Sequence, residues 1–376
     1  MKLTAPRRPL IGRVALARQA CAQNHPRAIL QDVLIQARDG RVDLTATDEL
    51  VSVRTSLVHE GVTGSGATAF PAATLLSALK EVPGEVVEIE ESGSQHVLTA
   101  GSTVFKLYAD DPIEFPSIPT TDMSRAARIP LAGFLDLCQR TMFAAARKLG
   151  RYVLNGVLVE LAPEGVVLVA TDGRRLAMAR LPCETGVVET RSRILPIKGL
   201  QQLMRAAEPE DELRVDLRES QVTFGVGSTE IIAQLIDGEF PDYKAVIPDG
   251  RPNQVVLARD DLAGAIRRAA VTAGEEARSV ALCFRDGTLT VSSRSEGLGE
   301  ARSALDVEYA GPDVDVCFNP DFLSDYLRAV PEEQVSFSFS DGKSAGLFSS
   351  TNGEAPTDDV DGRYIVMPVV NDDNQH

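Results

Sequence analysis

A period of about 125 residues constrains this chain more than any other feature. The stretch Arg151–Leu181, RYVLNGVLVELAPEGVVLVATDGRRLAMARL, reads as two β-branched strands around a Pro-Glu-Gly turn, then a Thr-Asp-Gly corner and a third strand. The pattern recurs at Ala28–Leu57, with Ile29 matching Val153 and Thr47 matching Thr171 at a separation of 124. A worn copy in the last third puts Val280 127 residues after Val153. Helices opening on an apolar residue and Pro begin at Phe70, Leu195 and Phe318, spaced 125 and 123. Longer helices opening each third place Leu10, Phe134 and Leu262 in equivalent positions, and Phe115-Pro116 recurs as Phe240-Pro241. Features repeated in one order specify three copies of one module.

Each module reads helix, strands, helix, strands. Val86–Ala109, Leu213–Ile236 and Val335–Ser350 alternate apolar and polar residues around Gly-bearing turns, the pattern of antiparallel hairpins with one wet face. Two helices on antiparallel sheet is an α+β layer architecture. The Pro- and Asp-rich connectors Pro116–Arg128 and Pro248–Val255 divide the chain into domains at 1–120, 128–248 and 255–370, and Asn371–His376 is a polar tail.

Charge is segregated along this pattern. The six helix windows, Pro6–Gln23, Pro71–Val82, Pro130–Lys148, Pro196–Ala207, Arg259–Thr272 and Pro320–Val330, hold 14 basic against 6 acidic residues in a chain of net charge −16. An acidic protein repels nucleic acid at long range, but screening beyond roughly 8–10 Å leaves the local field to decide. Positive helices on one concave surface would hold a duplex while acidic strands face outward. The plainer explanation is the ordinary preference of Lys and Arg for helices and of Asp and Glu for turns.

Five scattered cysteines, Cys21, Cys138, Cys183, Cys283 and Cys317, form no spacing suited to a disulfide framework or zinc site, and the four histidines stand alone. No apolar run reaches the roughly 18 residues of a membrane span, and arginines interrupt the apolar N-terminal stretch, so a cytoplasmic location is expected. There is no phosphate loop and no Ser or Cys nucleophile pattern, hence no expected catalytic residue, metal or cofactor. Thr171-Asp172 is read as a turn, with Arg174 and Arg175 as the rim of an apolar pocket. A metal-dependent phosphodiesterase on a repeated α+β scaffold, which explains neither the threefold period nor the helix charge, and a monomeric peptide-binding scaffold are the alternatives.

The threefold repeat, with RYVLNGVLVEL, VATDGRRLA, ILPIKGL, QLIDGEFPDYKAVIP, FNPDFLSDYL and YIVMPV in order, resembles the bacterial DNA polymerase III beta subunit, the sliding clamp. The resemblance covers residues 1–370. It implies three clamp domains forming half of a closed ring, a head-to-tail homodimer whose helices line the hole, with no enzymatic activity. The implied partners are encircled double-stranded DNA, the replicative polymerase, the clamp loader, and other polymerases and repair proteins. The implied partner-peptide pocket comprises Leu154, Thr171, Gly173, Arg174, Arg175, Leu176, Pro241, Val246, Asn319, Phe322, Ile365, Val366, Met367, Pro368 and Val369. DNA contacts are expected at Arg13, Lys148, Arg151, Tyr152, Lys198 and Arg205, and dimer contacts at Phe105 and Leu107 facing Val271 and Thr272.

Overall fold

The computed structural model describes residues 1–376 except 39, 93–94, 148–151, 209–210, 248–251, 275–277, 351–359 and 370–376. Two units divide the chain, Met1–Leu131 with Leu195–Leu235 and Ala132–Ile194 with Ile236–His376. Six α-helices lie in the described residues: α1 (Arg7–Arg18), α2 (Ala72–Glu81), α3 (Leu131–Thr141), α4 (Ile197–Ala206), α5 (Arg259–Ala269) and α6 (Pro320–Ala329). Their apolar residues recur at helical spacing: Leu10, Val14 and Ala17 are buried on α1, and Leu323, Tyr326 and Leu327 on α6. Asn319 caps α6 by accepting from the Asp321 amide, ahead of Pro320 in the first turn.

In the first unit one antiparallel sheet of twelve strands runs from the edge strand Thr103–Leu107 to Ala127–Ile129. Its seam between the first and second repeats is Val51–Val58 paired with Thr229–Gln234, Val53 opposite Ile231. The second unit holds an eight-stranded sheet and a four-stranded one. The seam between the second and third repeats is Arg175–Pro182 paired with Asp361–Val366, Arg175 opposite Val366. The four-stranded sheet ends at the edge strand Gly299–Asp306. Each third therefore supplies eight described strands, and the outermost ones of the first and third repeats are unpaired along one side.

Aromatic packing fills the third repeat. Phe337 stacks on Phe348 at 4.4 Å between ring centroids, Phe284 on Phe339 at 4.6 Å, and Tyr326 on Tyr364 at 4.8 Å. A Cβ on Gly346 would lie 2.6 Å from the Phe337 ring, so only glycine fits beneath that stack.

The repeat holds at the level of single hydrogen bonds. In the first third Thr47 Oγ1 accepts from the Glu49 amide, and Asp48 Oδ1 from the amides of Leu50 and Val51. In the second, Thr171 Oγ1 accepts from Gly173, and Asp172 Oδ1 from Arg174 and Arg175. Glu49 and Gly173 occupy the same left-handed position, with φ of 75° and 87°. The Thr-Asp pair is a turn in both copies, as the sequence implies.

Helix ends differ from the sequence windows chiefly at α3. The window reaches Lys148, but regular helix stops at Thr141, whose hydroxyl turns back to the Leu137 carbonyl. A 3-10 turn, Met142–Ala144, follows, and the Phe143 carbonyl serves another partner described below.

A buried acid in the first repeat makes stability pH-dependent. Asp32 is 2% exposed, and burial, with a hydrogen bond that its protonated carboxyl donates to the neighbouring Asp110, pushes its pKa up to about 7. The unfolded chain releases this proton near pH 4, so from about pH 4 to 7 only the folded state holds it and stability falls as pH rises. Asp32→Asn is expected to raise the thermal midpoint at pH 8, by a stability gain on the order of 2 kcal/mol that shrinks toward pH 4. An unchanged difference across that range in scanning calorimetry would remove Asp32 as the titrating group.

Candidate functional site

The Thr171–Arg175 corner sits at the second seam, where the strand Arg175–Pro182 meets Asp361–Val366. There the Met367 amide donates to the Arg174 carbonyl at 2.9 Å, and the Val369 amide to the Cys317 carbonyl at 2.8 Å, carrying the chain past the corner. Between this corner and the segment around Pro241 opens a cleft of about 190 Å³. It is lined by Leu154, Thr171, Gly173, Arg174, Arg175, Leu176, Pro241, Asp242, Tyr243, Val246, Ile365 and Met367. Met367 and Val246 keep 50% and 54% of their surface exposed, so apolar side chains face solvent at the mouth. Leu176, Tyr243 and Ile365 belong to a buried apolar cluster beneath it with Leu158 and Val169. The Tyr243 hydroxyl donates to Glu160 at 2.9 Å, and burial raises its pKa, so the phenol stays neutral.

Arg175 is the most constrained side chain of the wall. Its Nε donates to Asp172 Oδ2 at 3.0 Å, Nη1 to Asp325 Oδ2 at 2.9 Å, and Nη2 to the Phe143 carbonyl at 2.9 Å. The guanidinium lies 4.4 Å from the Phe322 ring centroid. Burial opposes its charge, but Tyr364, Asp325 and Asp172 more than compensate and hold the pKa above the usual arginine value.

Ten of the fifteen pocket residues expected from sequence line this cleft; Asn319, Phe322, Val366, Pro368 and Val369 do not. Asn319 caps α6, Phe322 lies under Arg175, and Val366 is buried in the seam. Sequence reasoning missed Asp242 and Tyr243, although they stand between the expected Pro241 and Val246.

Of the expected DNA contacts, Lys148 and Arg151 lie outside the described residues, as does the side chain of Tyr152. Lys198 is not a free cation. Its ammonium is ion-paired with Asp48 and reaches the Ala20 carbonyl, binding α4 to the first-repeat corner. Arg13 donates to Thr55 Oγ1 at 3.3 Å, and Arg205 to Gln19 Oε1 at 3.4 Å. A second groove, about 390 Å³ between α5 and α6, is lined by Arg259, Arg267 and Arg328 with Asp260, Ala263, Ser324 and Leu327; sequence reasoning did not single it out. At the expected interface Phe105 is half-buried and Leu107 buried, while Val271 is 76% exposed and Thr272 hydrogen-bonds to Ser293 at 2.6 Å. Among the described residues no group of three or more His, Cys, Asp or Glu is placed to hold a metal ion. No helix of the described residues is long and apolar enough to cross a membrane.

Comparison with known proteins agrees along the whole chain. Residues 1–119, 128–242 and 244–369 match the N-terminal, central and C-terminal domains of the DNA polymerase III beta subunit. The beta sliding clamp of Pseudomonas aeruginosa is 30% identical over 371 residues, covering 98% of this chain and 100% of its own. That of Escherichia coli K12 is 31% identical over 348 residues, 91% and 92% of the two chains. A Pseudomonas aeruginosa clamp solved bound to griselimycin superposes with a TM-score of 0.92 at 29% identity, covering 99% of this chain and 100% of that one. One from Bartonella birtlesii, also bound to griselimycin, gives 0.91 at 26% identity with the same coverage. Nothing in these relationships favours the phosphodiesterase reading. With three clamp domains in tandem, the chain belongs to the DNA polymerase III beta subunit family and acts as a DNA sliding clamp, a processivity subunit without catalysis of its own.

Proposed function

We propose that this clamp works as a head-to-tail homodimeric ring closed around duplex DNA in the cytoplasm, with domains at 1–120, 128–248 and 255–370. Its cleft then takes short peptide segments of the replicative polymerase's catalytic subunit, the clamp loader, and other polymerases and repair proteins. The observation carrying the cleft assignment is an apolar mouth, Met367 and Val246, kept open beside a wall fixed by Arg175. Such a site suits one or two apolar anchors of a partner segment.

DNA contact is assigned to Arg13 and Arg205, with Lys148, Arg151 and Tyr152, and to the arginine groove between α5 and α6. Contacts of this kind reach phosphate and carry no base information, as sliding requires. Lys198 is withdrawn from the set because Asp48 already neutralises it. The dimer is assigned to Phe105 and Leu107 of one copy against Val271 and Thr272 of the next.

Griselimycin, present in two related clamp structures, is taken as a ligand of the cleft. Calorimetric titration is expected to give saturable binding of one molecule per chain, abolished or weakened by Met367→Ala. Absence of binding at roughly 100 μM, or binding that Met367→Ala leaves unchanged, would refute the cleft as the griselimycin site.

A further inference from the structure

Arg175 lines the cleft, yet most of its N–H groups are engaged elsewhere. Three of the five are committed to Asp172, Asp325 and the Phe143 carbonyl, so little of its hydrogen-bonding capacity remains for a ligand. What the side chain contributes is a wall of fixed position. Asp325, on α6, does not line the cleft; its Oδ2 accepts from Arg175 and its Oδ1 from Arg328 at 3.4 Å.

The first seam shows the same device without a cleft residue. Asp48, the equivalent of Asp172, pairs directly with Lys198 on α4, the helix equivalent to α6. At both seams a Thr-Asp corner is thus tied by charge to a helix of the following repeat. Only at the second does the tie run through a side chain of the cleft wall, because Arg175 stands where the first repeat has Val51.

We propose that Asp325 is a positioning residue of the cleft, setting through Arg175 how tightly a ligand is held although it makes no contact with that ligand. The inference rests on the cleft being the ligand site. Its consequence is that α6 of the third repeat and the cleft wall of the second respond together: a bound ligand steadies the ion pair, and loss of the ion pair loosens the wall.

The test is a double-mutant cycle with griselimycin as probe and full-length protein throughout. Asp325→Ala is expected to weaken binding about tenfold, and Asp325→Asn, which keeps the shape, to act in the same direction. Asp321→Ala, on the same helix but paired with Arg278, should leave affinity unchanged. In the Arg175→Ala background the Asp325→Ala change should add nothing further, since its effect travels through the missing guanidinium. Circular dichroism and thermal midpoints establish that each variant is folded. Full affinity in both Asp325 variants, or a loss that adds to that of Arg175→Ala, overturns the proposal while leaving the cleft assignment intact. Failure of the wild-type protein to bind overturns both.

Discussion

Phe105→Asp is expected to leave the protein a monomer of 40.4 kDa. Phe105 lies on Thr103–Leu107, the outermost strand of the twelve-stranded sheet, opposite Leu98, which is fully buried. An edge strand with free backbone groups and a half-buried aromatic ring is stable in water when something pairs with it. Gly299–Asp306, in the third repeat, is likewise an edge strand, at one end of the four-stranded sheet. In the proposed head-to-tail ring these two different edges meet in a heterologous contact, which pairs both. A carboxylate at the centre of that contact must be desolvated without a partner, a cost of about 3–5 kcal/mol, or roughly 10²–10⁴ in the dissociation constant. Sedimentation should therefore show monomer at micromolar concentration, with griselimycin binding preserved. A variant that sediments as the dimer would mean that the interface lies elsewhere.

Arg175→Ala is the second large effect, and it acts twice. Removing the guanidinium leaves two largely buried carboxylates, Asp172 and Asp325, at 18% and 20% side-chain exposure, facing each other without their shared cation. It also strips the Phe143 carbonyl of its donor. Breaking a buried pair in this way costs about 3–5 kcal/mol, so a fall of several degrees in the thermal midpoint is expected. Ligand affinity should fall roughly a hundredfold, because the wall loses both its position and the stack on Phe322. Arg175→Lys should recover only part of this, since an ammonium cannot donate in the planar fork that reaches Asp172, Asp325 and Phe143 together. Unaltered stability and affinity in Arg175→Ala would contradict the reading of this residue as a structural part of the cleft.

The elements legible in the sequence are those whose physics is local. Thr171-Asp172-Gly173 and Thr47-Asp48-Glu49 make the same turn because side-chain oxygens two and three residues away satisfy the same amides, and such spacing is visible in a string of letters. Helices with apolar residues at three- and four-residue intervals were equally visible. What stayed hidden depends on partners far along the chain. Lys198 counts as a free positive charge in any window of sequence, yet its partner Asp48 lies 150 residues away. Arg175 was marked as a rim residue, while Asp325, also 150 residues distant, gave no sign of its role. Tyr243 was obscured for a different reason: a tyrosine amid Pro, Asp and Lys reads as loop, and only the fold turns its ring into the cleft wall over the apolar cluster.

A sliding clamp holds DNA by enclosing it rather than by gripping it. Clamp loaded onto a nicked circular duplex and passed through a sizing column should stay with the circle, and cutting that circle once should release it within the time of the run. Equal retention on circular and linear duplex would show that the protein grips DNA by contact alone, and would contradict the account.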